Sequence, residues 1–81
     1  MFFLIEYNRE KERLVKFIKF RNSDREKAEN KRLDIELNLN RKNIVHEVVL
    51  FEATTENRLR CTHRRYFKSL KEIAASTNPG T

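Results

Sequence analysis

Residues 2–7 read Phe-Phe-Leu-Ile-Glu-Tyr, and they form the most apolar segment of the chain. Aromatic and branched side chains in succession favour a β-strand, and apolar residues at both odd and even positions predict that both of its faces are covered. A strand of this kind suits the middle of a sheet. We therefore expect residues 2–7 to be the central strand, with the other elements arranged around it.

Two other segments have the composition of strands. Residues 14–20 follow a polar turn at residues 8–13 and form a hairpin with the first strand. Strict alternation places Leu14, Ile18 and Phe20 on one face and Val15 and Phe17 on the other. Residues 44–51 form the third predicted strand. Its first face carries Val45, Val49 and Phe51, and its second carries Ile44, His46, Val48 and Leu50.

A helix is predicted between the second and third strands, at residues 24–39. Ser23 followed by Glu26 has the spacing of a capping box, in which each side chain accepts a backbone N–H of the first turn. Residues 33–40 nevertheless alternate between apolar and polar side chains, which is the period of a strand. A short helix to Arg32 followed by a strand therefore remains an alternative interpretation. We favour the helix because good helix formers follow the cap.

The last predicted helix begins after Thr54 or Thr55 and carries the unbalanced charge of the chain. The net charge is +6, and six basic residues without any acidic one occupy residues 58–71, so the rest of the chain is electrically balanced. A helical wheel separates two arcs. The apolar arc carries Leu59, Thr62, His63, Tyr66, Phe67, Leu70, Ile73 and Ala74. The basic arc carries Arg58, Arg60, Arg64, Arg65, Lys68 and Lys71, together with Cys61.

These elements predict an α+β domain with the order β-β-α-β-α. A right-handed crossover through the first helix returns the third strand antiparallel to the first, which gives a three-stranded antiparallel sheet of order 2-1-3. We expect one compact domain over residues 1–75 and a flexible tail over residues 76–81. Two helices can cover one face of this sheet, so the second apolar face predicts a homodimer.

Composition excludes several classes of protein. No apolar run approaches the ~20 residues of a membrane span, so we expect a soluble protein with no membrane partner. The single cysteine excludes an intrachain disulfide framework and is typical of a cytoplasmic protein. The one glycine, Gly80, cannot build a phosphate-binding loop, which requires several glycines. We predict no cofactor.

Candidate catalytic and metal-binding groups are few. Cys61 and His63 are two positions apart, which points them to opposite sides of a helix, so we predict no metal site. Cys61 lies among arginines on the exposed arc, where an ordinary surface thiol is the expected state. His46, His63 and Tyr66 would line one small-ligand pocket if the last helix covered the His46 face of the third strand. We attribute Glu6 and Glu47, which interrupt apolar strands, to edge or rim positions.

The function that this pattern favours is that of a small, non-enzymatic binding module. Its basic last helix would contact nucleic acid or an acidic partner, because arginine and lysine at helical spacing can neutralise phosphates. Two alternatives stay open. One is a structural homodimer that binds protein and has no role with nucleic acid. The other is an enzyme fragment or a small-ligand binder that uses a pocket around His46, His63 and Tyr66. The sequence contains no family motif that decides between them.

Overall fold

The structure is a computed structural model, and it describes residues 1–67. It has three strands and two α-helices in the predicted order. The strands are β1 (Phe2–Asn8), β2 (Arg13–Phe20) and β3 (Glu47–Glu52), and the helices are α1 (Arg25–Arg41) and α2 (Glu56–Thr62). The sheet is antiparallel with the order β2-β1-β3. The predicted α+β class, strand order and central strand are therefore confirmed.

β1 forms the core of the molecule, because every residue from Phe2 to Tyr7 is buried. Leu4 pairs with Ile18 of β2 on one side and with Leu50 of β3 on the other, which satisfies the backbone of β1 along both edges. Phe3, Leu4 and Ile5 are fully buried. An apolar strand paired on both sides thus accounts for the unbroken burial of this segment.

The two helices lie on opposite faces of the sheet. α1 packs across all three strands, on the face that carries Leu4 and Glu6. The other face carries a cluster of buried side chains formed by Phe3, Ile5, Tyr7, Leu59, Tyr66 and Phe67. The expectation that both helices share one face is wrong. Each helix has an apolar side of its own to bury, and β1 offers an apolar surface to both.

β2 departs from strict alternation at a β-bulge. Tyr7 pairs with Leu14 and Glu6 pairs with Lys16, so Val15 is an extra residue opposite a continuous stretch of β1. Because of the bulge, Leu14 and Phe17 both pack against the cluster of buried side chains on the face opposite α1. The predicted grouping of Leu14 with Ile18 and Phe20 is therefore wrong, since one extra residue reverses every side chain before it.

Residues 33–39 are helical, which settles the choice between helix and strand. The alternation nevertheless places apolar side chains on more than one side of α1. Ile35 is buried, while Leu33 and Leu37 are each 53% exposed. The predicted capping box does not form. A short 3-10 turn over Asn22–Asp24 precedes α1, and α1 has no side-chain cap.

α1 ends in a Schellman motif around Asn43. The Ile44 N–H donates to the Leu39 carbonyl at 2.9 Å and the Asn43 N–H donates to the Asn40 carbonyl at 3.2 Å. Asn43 has a φ of 56°, the left-handed conformation that this motif requires. Asparagine tolerates that conformation better than most residues, so it can take the position that glycine usually occupies. The reversal directs the chain from α1 into β3.

The predicted tail over residues 76–81, and the end of the predicted domain at residue 75, lie outside the described residues.

Candidate functional site

The basic segment does not continue as one helix through residue 67. α2 ends at Thr62, His63 leaves helical geometry with φ −125° and ψ 53°, and a 3-10 turn spans Arg64–Tyr66. Thr55 caps the start of α2 by accepting from the Arg58 N–H at 3.1 Å, as one of the two predicted caps. The prediction of one continuous helix is therefore wrong, because within residues 1–67 the helix ends at Thr62 and a separate 3-10 turn follows it. The break lets Tyr66 and Phe67 turn onto the sheet, where both are buried.

Arg60 is held by its neighbours in α2 and in the core. Its Nε lies 2.9 Å from a carboxylate oxygen of Glu56. Its guanidinium lies 4.5 Å from the ring centre of Phe67 and 5.6 Å from that of Phe17. Cations are attracted to aromatic faces at these distances. Arg60 therefore serves the packing of the C-terminal segment on the sheet.

Arg65 is held in the same way by Glu47 of β3. It donates to a Glu47 oxygen at 2.6 Å and to the Tyr66 hydroxyl oxygen at 2.7 Å, while Tyr66 donates its own hydroxyl proton to Glu47. The hydrogen bond from Tyr66, reinforced by Arg65, lowers the pKa of Glu47 below its ordinary value. Burial, followed by the same carboxylate, raises the pKa of Tyr66. These three groups form one hydrogen-bonded network, which we call the Glu47 network.

Arg58 and Arg64 differ from the two arginines above. Both are exposed, and within residues 1–67 neither has a carboxylate at ion-pair distance. The last two predicted contact residues, Lys68 and Lys71, lie outside the described residues. The four arginines of the basic segment that lie within residues 1–67 thus form two pairs. Arg60 and Arg65 stabilise the fold, and Arg58 and Arg64 direct their charge to solvent.

His46 lies on the α1 face of the sheet, away from the basic segment. Its Nδ1 is 2.6 Å from a carboxylate oxygen of Glu6, and both side chains are largely buried. The pair lines a cleft of about 220 Å³ between the sheet and the second half of α1. We call this the α1 cleft.

The structure does not bring His46, His63 and Tyr66 together. The His63 ring stacks on Phe51 with 4.0 Å between ring centres, and Tyr66 lies 5.5 Å from the same ring. Phe51 packs against the cluster on the face opposite α1. His63 and Tyr66 are therefore neighbours, while His46 lies on the other side of β1 and β3.

Glu6 is the residue that sequence reasoning placed wrongly. It is 4% exposed on the central strand, which excludes the predicted edge or rim position, whereas Glu47 does lie on an edge strand. The sequence does hold a signal for this, since Glu6 shares the alternation of Phe2 and Leu4 within a strand predicted to be buried on both faces. A carboxylate at such a position needs a partner, and His46, the residue just before β3, supplies it.

Other features of the described residues add no chemistry to these sites. Cys61 is an exposed free thiol. Among residues 1–67 no three His, Cys, Asp or Glu side chains are grouped as a metal site would require. No helix in the described part of the chain is both long enough and apolar enough to cross a bilayer.

Comparison with protein-family models, with curated proteins and with solved structures found no match to this chain.

Proposed function

We propose that this chain is a small, non-enzymatic cytoplasmic module that binds the phosphates of nucleic acid through Arg58 and Arg64. The observation that carries the proposal is the division of the basic segment. Arg60 and Arg65 are neutralised by Glu56 and Glu47, while the charges of Arg58 and Arg64 have no carboxylate partner within residues 1–67. Arginine offers a planar fork of donors that matches a phosphate group.

Binding of this kind is independent of base sequence. Tyr66 and Phe67 are the aromatic residues nearest in sequence, and both are buried. Both rings already pack against other aromatic rings, Tyr66 against Tyr7 and Phe67 against Phe17. They have no free face on which a base could stack, so the contact rests on charge alone.

The test is a fluorescence titration with single-stranded and double-stranded oligonucleotides at low salt and at about 150 mM salt. Affinity should fall with salt, with a log–log slope of about −0.7 to −0.9 for each phosphate neutralised. A double variant, Arg58→Glu with Arg64→Glu, should lose binding and keep its melting temperature, because neither side chain is buried.

A matched control reverses two other exposed arginines, Arg13→Glu with Arg41→Glu. It changes the net charge equally, and within residues 1–67 neither of these arginines has a carboxylate at ion-pair distance. Binding that is absent at low salt, or that both double variants weaken alike, would remove nucleic acid as the partner. A titration with polyglutamate distinguishes nucleic acid from an acidic protein as the partner. If the partner is an acidic protein, the chain should bind polyglutamate and should not bind oligonucleotides.

A homodimer is a second proposal. An uncovered apolar face of the sheet no longer supports it, because the two helices cover both faces, but apolar side chains elsewhere are exposed to solvent. Val45 is 91% exposed just before β3, and Leu33 and Leu37 lie one turn apart on the exposed side of α1. Sedimentation should give the mass of two chains at micromolar concentration, and Leu33→Lys with Leu37→Lys should return it to one. A single-chain mass for the unaltered protein at high concentration would contradict the proposal.

A further inference from the structure

The α1 cleft holds the one buried charged residue of the described chain, Glu6. Replacing both members of a buried, hydrogen-bonded polar pair by apolar residues is often neutral or stabilising, so a gain in stability does not explain why Glu6 and His46 are paired here. The central strand of a thin core is a costly place for a carboxylate. A role in binding explains the pair better than a role in folding.

Glu6 fixes the orientation of the His46 ring. An ionised carboxylate only accepts hydrogen bonds, so the Nδ1 that lies 2.6 Å from it carries a proton. The second ring nitrogen, Nε2, is then the atom that remains for a ligand. A carboxylate behind a histidine is the usual way in which proteins fix the tautomer and orientation of an imidazole.

Lysines surround this pair. Lys16 from β2, Lys31 and Lys42 line the α1 cleft, and the only further carboxylate there, Asp34, lies 4.0 Å from the Lys31 nitrogen. Within residues 1–67, Lys16 and Lys42 have no carboxylate at ion-pair distance. Two exposed lysines without a carboxylate at ion-pair distance therefore line the same cleft as the oriented imidazole.

We infer that the α1 cleft binds a small oxyanion, a phosphate or carboxylate group, between Lys16, Lys42 and His46. The volume of about 220 Å³ is below the ~300 Å³ at which drug-sized pockets begin, which restricts the ligand to a small molecule or to one end of a larger one. Ammonium groups act as point charges toward such oxygens, and a His46 ring that carries a proton on both nitrogens adds a directed N–H from Nε2. This site is separate from Arg58 and Arg64, which follow β3 and belong to the segment that packs on the opposite face.

The experiment follows backbone amide shifts by NMR during titration with inorganic phosphate, and in a parallel arm with acetate, against sodium chloride at equal ionic strength. Saturable shifts should appear around residues 16, 31–42 and 44–46. Phosphate binding without acetate binding identifies a phosphate site, and the reverse identifies a carboxylate site. Shifts that spread over all lysines without saturating, in both arms, would overturn the inference.

Variants separate the cleft from general charge. Lys16→Gln with Lys42→Gln should weaken binding about tenfold or more, as expected when charge-assisted hydrogen bonds are lost. Lys11→Gln with Lys27→Gln removes the same charge from exposed positions outside the cleft and should have no such effect. His46→Gln should also weaken binding, and the Arg58→Glu, Arg64→Glu variant should bind the anion normally. Equal losses in the two lysine variants would contradict the site.

Discussion

Tyr66 donates its hydroxyl proton to Glu47, and this hydrogen bond joins the last described turn of the chain to the edge strand β3. Tyr66 also meets Tyr7 of the central strand edge-to-face, with 5.3 Å between ring centres. The second Glu47 oxygen is buried, has no hydrogen bond within the described residues, and lies 3.8 Å from the Arg9 Nε. One carboxylate therefore adds polar contacts to the aromatic packing that positions the segment after α2.

Tyr66→Phe should lower the free energy of unfolding by about 1–3 kcal/mol, because it removes a hydrogen bond to a charged group, although Arg65 still donates to the same Glu47 oxygen. The ring packing survives in this variant, so the loss reports the hydroxyl alone. Urea denaturation measures it. Tyr7→Phe is the matched control, because it removes a hydroxyl from the neighbouring ring that makes no hydrogen bond to Glu47. A Tyr66→Phe variant as stable as the unaltered protein would show that the hydrogen bond from Arg65 is sufficient for Glu47.

Stability should fall in acid in a way that depends on the Glu47 network. The pKa of Glu47 is lowered in the folded protein, first by Tyr66 and then by Arg65. A lowered pKa contributes stability above the unfolded value, and this contribution is lost as pH falls through the folded value, so the loss should begin below about pH 5. Glu47→Gln should show a smaller decrease between about pH 5 and pH 3 in denaturation series. Glu56, whose pKa Lys19 and Arg60 also lower, supplies the decrease that remains.

The central strand should be the most sensitive part of the fold. Ile5→Ala and Leu4→Ala should each cost about 2–5 kcal/mol, because both side chains are fully buried and leave cavities. Val45→Ala, at an exposed position, should change stability by less than about 0.5 kcal/mol. Thermal or urea melts of the three variants make the comparison. Near-neutral effects at both β1 positions would contradict the placement of β1 between two apolar layers.

The turn between β1 and β2 offers a stabilising substitution. Glu12 has a φ of 50°, in the left-handed region where a side chain costs about 1–2 kcal/mol. Glu12→Gly should therefore be about 0.5–1 kcal/mol more stable than Glu12→Ala, since glycine removes the steric cost but loses more chain entropy on folding. Equal melting of the two variants would show that residue 12 leaves this conformation freely.

The order of strands and helices could be predicted from the sequence because the patterns that indicate each element extend over several residues. Residues 2–7 predict a central strand by composition alone, and the helix formers after Asp24 outweigh the alternation over residues 33–40. Single-residue events were not predictable in this way. The extra residue Val15 leaves no mark in composition, and the break at His63 depends on the fit of Tyr66 and Phe67 to the sheet.

The candidate sites show the same limit. The basic residues were evident from charge counting, but counting cannot tell that Arg60 and Arg65 have carboxylate partners from α2 and β3. The pairing of Glu6 with His46 joins two positions forty residues apart. It depends on the register of β1 against β3, in which Glu6 pairs with Val48, two residues after His46. Partners across a sheet require a known register, which a one-residue bulge is enough to change.

Because helices cover both faces of the sheet, another polypeptide can extend it only at the outer edges of β2 and β3. An exposed, regular edge is a template for strand-by-strand growth into fibrils. On β2 the bulge at Val15 interrupts the regular ladder, and Lys16 follows it directly, with Lys19 three residues further on. Bulges and lysines are two of the devices by which natural sheets resist such growth. The irregularity that reverses Leu14 thus also makes this edge a poor seed for aggregation.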